Sequence, residues 1–135
     1  MFNEKMTMSD KLVRLAELDA AAVEQGRRAA ELGAKVGVEV TNERGERELL
    51  WLVKMAGTQA VAEAAAACLH VGQHVYPLNV ARRMRTQLSP PAGPATMAAL
   101  LRAHLRSAAT TAERERQAEF DAAARRAARL AGGVS

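Results

Sequence analysis

A single cysteine in 135 residues excludes an internal disulfide. Aromatic residues make up only 3% of the chain, with one tryptophan and one tyrosine. Any core must therefore be built from aliphatic side chains. No apolar run approaches the roughly 20 residues of a membrane-spanning helix. The densest, Ala60–Leu69, is mostly alanine and is interrupted by Glu63. The opening MFNEKMTMSDK is mixed in charge and lacks the apolar centre of a secretory signal. These absences set the expectation of a cytoplasmic protein without membrane contact. β-Branched residues are too scattered to make paired strands; Val36, Val38 and Val40 alternate in a strand-like way but have no partner segment. An extended connector, or helix fraying at Gly33 and Gly37, is the expectation there.

Chemistry is also scarce. No serine or cysteine lies in a nucleophile motif, and Gly33, Gly37 and Gly45 lack the spacing and the lysine of a phosphate loop. Acid pairs such as Glu43 with Glu46 have no apolar pocket to raise a pKa and read as surface groups. His70 and His74 are four apart, but Gly72 lies between them, and a third metal ligand would have to come from Cys68 or His104. The plain alternative is polar residues at a helix end. The expectation is no enzyme, no metal and no cofactor.

What the chain does have is helix-forming composition: 49% hydrophobic residues, many of them alanine. Its length suits one domain with a modest core. The spacing predicts a first helix from Asp10 to Gly33 or Val36, capped by Ser9, burying Leu15, Leu18, Ala22, Ala29 and Leu32 or Gly33. A second helix is predicted over residues 42–72, capped by Thr41 or Asn42 and ended by Gly72. It carries one face of Leu49, Val53, Ala56, Ala60, Ala64, Ala67 and Val71, and another of Leu50, Gly57, Val61, Ala65 and Cys68. Such small side chains replace bulky knobs by close backbone approach. A short helix starts at Pro77 or Leu78, with Val80, Ala81, Met84 and Leu88 on one face.

Three prolines within Pro90–Pro94 break the chain into a helical core (1–88), a rigid elbow (89–94) and a C-terminal helical segment (95–135). That last helix starts at Pro94 or Ala95 and runs to about Ala131. Thr110-Thr111 followed by Glu113 offers a second start, so two helices are an alternative. Its first half has an apolar face through Met97, Leu100, Leu101, Leu105 and Ala108. Its second half thins to alanines with Phe120 and Leu130, and packs on the core, on another subunit or on solvent. The expected fold is all-α, a small bundle of three to five helices with a long C-terminal helix.

Charge is the one feature with functional content. Residues 77–135 hold ten arginines against four carboxylates and no lysine. Arg82, Arg83 and Arg85, with Arg102 and Arg106 on the following helix, form the candidate binding patch if the elbow folds the two helices together, because guanidinium forks match phosphate oxygens. A helix-turn-helix needs a turn of about three or four residues, which this proline elbow does not supply. The charge points to a small oligomeric accessory protein touching DNA or RNA non-specifically. The alternative is a protein-interaction module (adaptor, chaperone or immunity-like) whose arginines are incidental. Self-association or a protein partner is expected under both.

Overall fold

The computed structural model describes residues 5–132 of the chain. Thr7 opens the first helix, α1 (Met8–Val36): its hydroxyl accepts from the Asp10 backbone N–H, and the Asp10 carboxylate accepts from the Thr7 N–H. Two orphan donors are satisfied reciprocally. Ser9, the cap expected from the sequence, lies inside the helix instead, because Thr7 has an acid three residues on and Ser9 has Leu12. The helix passes through Gly33 and stops at Gly37, whose φ of 77° is left-handed. A Cβ on Gly33 would meet the Val38 carbonyl oxygen at 2.7 Å, so only glycine lets the chain turn back this closely. The connector that follows is extended, and no strand forms among the described residues. Its Val38 is buried, and the Glu39 N–H donates to the Val75 carbonyl at 2.8 Å, tying two connectors together.

The long helix expected over residues 42–72 is two helices, α2 (Glu43–Ala56) and α3 (Thr58–His70). Asn42 caps the first through the Gly45 N–H, as its short polar side chain predicts. The break is at Gly57, with φ 88° and ψ 160°, a conformation essentially confined to glycine. Its N–H closes α2 on the Val53 carbonyl and its own carbonyl accepts from Val61. The corner resets the helical phase. Leu49 and Leu52 face the core before it and Val61, Ala65 and Cys68 after it, whereas Ala56 and Val71 of the predicted stripe are exposed.

Pro77 starts α4 (Pro77–Arg83), which buries Val80 and Ala81 while Met84 and Leu88 cover the core edge. Pro94 then starts α5 (Pro94–Gly132), one uninterrupted helix. Thr110 and Thr111 do not restart it; their hydroxyls donate to the Arg106 and Ser107 carbonyls four residues back, the mid-helix habit of threonine. The chain is therefore all-α, five helices with a long last one.

α1 is the central strut, packing on α2, α3 and α5, while α4 closes the far side against α2 and α3. Val36, Val38, Leu49, Leu52, Val61, Ala65, Cys68, Val80 and Ala81 form the main core, with no aromatic among them. A second, small layer of Leu18, Ala98 and Leu101 fastens α5 to α1, edged by Leu15, Met97 and Leu105. A polar junction sets the angle between them. The Gln25 amide donates to Glu43 and Glu46, Arg47 donates to Glu43, and Arg47 Nη1 reaches the Pro91 carbonyl at 3.4 Å. Glu43 and Glu46 are thus half-buried structural acids rather than the surface pair expected. Gly93 sits against this junction, where a Cβ would lie 2.7 Å from Arg47 Cδ.

The corner makes a specific prediction. Gly57→Ala destabilises the protein by about 1–3 kcal/mol, because alanine is strained at this φ and ψ. Gly132→Ala, where a Cβ meets nothing within 4 Å, changes stability by less than about 0.5 kcal/mol. Chemical denaturation of the two variants checks both; equal midpoints would contradict the strain argument.

Candidate functional site

The five candidate arginines are carried on two separate supports. Arg82 and Arg83 end α4, which packs on α2 and α3; Arg102 and Arg106 lie on α5, which packs along α1. Arg82, Arg83 and Arg85 are exposed at one corner, and Arg83 Nε donates to Gln73 Oε1 at 3.4 Å. None of the three has a carboxylate within ion-pairing distance among the described residues. Arg85 has a φ of 54°, the left-handed residue of a helix-ending turn in which the Thr86 N–H donates to the Ala81 carbonyl. Glycine is the usual occupant of that position, so the arginine is held there at a conformational cost. Arg102 is differently placed: its Nη2 pairs with Asp19 of α1 at 2.5 Å, half exposed. Arg106, one turn on, is exposed.

A second basic locus, not singled out from the sequence, lies where α1, α2 and the elbow converge. A cleft of about 430 Å³ is lined by Arg28, Leu32, Arg47, Trp51, Lys54 and Pro91, among others. Arg28 and Lys54 have no ion pair among the described residues, while Arg47 is neutralised by Glu43. Arg27 beside it is occupied elsewhere, bonded to Glu24 and Glu31, and its hydrogen bond holds the Glu24 carboxyl below the usual range. The lining thus combines two exposed cations with an indole and two prolines. The spacing Gln25–Arg28–Leu32 on α1 and Arg47–Trp51–Lys54 on α2 marks a face on each helix, but only the fold brings them together.

The histidines go to separate places. Cys68 is buried in the main core; the His74 ring stacks on Tyr76 at 5.3 Å; His104 Nε2 lies 3.1 Å from Lys11 Nζ on the α1–α5 seam. Among the described residues, no three His, Cys, Asp or Glu side chains are grouped to hold a metal ion. None of the described helices is long and apolar enough to cross a membrane.

The longest exposed helical stretch among the described residues is the outer half of α5. Gln25 lies beside Gly93, Asp19 pairs with Arg102, and Lys11 meets His104, so α5 runs antiparallel to α1 and passes its N-terminus near residue 110. Residues 111–132 continue for roughly 33 Å at about 1.5 Å per residue. Apart from half-buried Ala112 and Ala122, every residue of that stretch is exposed, including Phe120 at 69% and Leu130 at 74%. Ala98, Leu101 and Leu105, which face α1, are followed on the same side by Ala109, Ala112, Phe120, Ala123, Ala127 and Leu130. All fall within an arc of about 100° at the helical repeat.

No protein-family model, no curated protein and no solved structure matches this chain.

Proposed function

We propose that this chain is a small protein-interaction module, an adaptor without catalytic chemistry of its own, whose working surface is the overhanging half of α5. One observation carries the reading. The apolar face that fastens α5 to α1 does not end where α1 ends but, interrupted by Arg116, resumes at Phe120 and runs on to Leu130, exposed. A face of that kind, with Phe120 and Leu130 set among alanines, is what a partner helix packs against. The tail's charges fit the same role, with both acids and arginines flanking the apolar stripe as at helix–helix interfaces.

A second reading is supported by a different surface. Arg82, Arg83 and Arg85 stand exposed at one corner, without carboxylate partners among the described residues, and the charge excess of residues 77–135 suits non-specific contact with phosphates of DNA or RNA. Arg106 extends that excess onto α5, while Arg102 would have to leave Asp19 to contribute.

Two experiments test these. A photo-crosslinking side chain at Phe120 gives discrete covalent adducts in living cells, and the same probe at Ala118, on the opposite side of the helix, gives none. Equal labelling from both positions, or none from either, would sink the interaction reading. For the second, titration of labelled duplex and single strands at two salt concentrations reports phosphate neutralisation as a steep loss of affinity with salt. Arg82→Ala with Arg83→Ala should make that slope shallower by about two contacts. Absence of binding at low salt would contradict it.

A further inference from the structure

We infer that the partner of the α5 overhang is a second copy of the same chain, paired antiparallel about Phe120. The inference rests on reading the overhang as an interaction surface and identifies what covers it. Three features of the helix converge on this arrangement.

The first is charge polarity along the tail. Residues 113–121 carry four acids and two arginines, whereas residues 122–132 carry three arginines and no acid. A parallel pair sets acid against acid and arginine against arginine; an antiparallel pair sets each acidic stretch against a basic one.

The second is register. With the two-fold axis between positions 120 and 121, Glu115 of one copy lies opposite Arg126 of the other, twice by symmetry. Both residues are on the same flank of the apolar stripe, about 70–90° from its centre at the helical repeat of 100° per residue. Same-flank residues are the ones that meet in antiparallel helix pairs. Within one chain Glu115 and Glu119 are like charges four apart and exposed, an unfavourable pair that a facing guanidinium relieves.

The third is the matching of large to small. In this register the two Phe120 rings meet at the axis, and each Leu130 falls level with Thr111, beside Ala112, of the other copy. Ala123 and Ala127 bracket the facing Arg116, which interrupts the stripe; their small side chains leave room for its stem, and Glu113 and Glu119 lie one turn away on its own helix. The length also closes. The partner's helix end at residue 132 reaches about residue 109, where α1 stops covering α5. A second copy thus takes over the α5 face where α1 leaves it, next to exposed Met8 and Leu12.

The test is a charge exchange in the full chain, read by sedimentation velocity over a concentration series. The wild type sediments as a dimer of the 14.5 kDa chain. Glu115→Arg alone, or Arg126→Glu alone, raises the dissociation constant at least about tenfold, and the double variant E115R/R126E restores it. Phe120→Asp abolishes the dimer while far-UV circular dichroism shows the body still folded. A dimer indifferent to the single changes, or one the double change does not rescue, overturns this pairing. A monomer at every concentration overturns it too. If the Phe120 probe then still cross-links to a different protein, the interaction reading survives and only the identity of the partner is wrong; if it labels nothing, both fall.

Discussion

Everything distinctive about this molecule hangs on one small apolar contact, Leu18 of α1 against Ala98 and Leu101 of α5. With few large side chains available, the chain concentrates its bulk in a main core around Leu49, Leu52, Val61 and Val80, leaving this small layer as the apolar hold on a 39-residue helix, beside the polar contacts Asp19–Arg102 and Lys11–His104. Alanine at position 98 lets the two helix backbones approach closely, so dispersion replaces bulk. The polar junction of Gln25, Glu43, Glu46 and Arg47 then fixes the direction in which α5 leaves the elbow. Together they clamp one end of the helix and leave the other without support.

That consequence links packing to function. An isolated helix shorter than about 12–15 residues is marginal in water even when alanine-rich, and a longer exposed one gains stability only a little per residue. The outer half of α5 has good propensity and a few side-chain pairs of its own, such as Gln117 with Asp121, but almost no buried surface. On the pairing proposed above, its order depends on a second copy covering Ala112, Phe120 and Leu130. The arginine corner formed by Arg82, Arg83 and Arg85 lies on α4 instead, supported by α2 and α3. The two candidate surfaces, the outer half of α5 and the arginine corner of α4, therefore stand on separate supports and can be altered independently.

Much of this was legible in the sequence, and the failures have particular causes. Helix class, the Asn42 cap, the Pro77 start, the proline break and the length of α5 follow from local chemistry, which a single chain displays openly. The Gly57 corner was not legible, because glycine among alanines fits a continuous small-residue stripe as well as it fits a positive φ. Thr110-Thr111 misled in the opposite sense, since threonine serves equally as a cap or, as here, as a mid-helix donor to a preceding carbonyl. The sequence also showed five arginines close in number. It did not show that Arg102 faces Asp19, or that Arg28 and Lys54 line one cleft with Trp51, because those relations depend on how α1 is shared between α2 and α5.

The most direct measurement is hydrogen exchange along α5 at low and high protein concentration. The account predicts that amides of residues 112–130 become progressively protected as concentration rises, while those of α2 and α3 are unchanged. Protection of the overhang that matches the body and ignores concentration would contradict it, since it would mean that the outer half of α5 is stable without a partner.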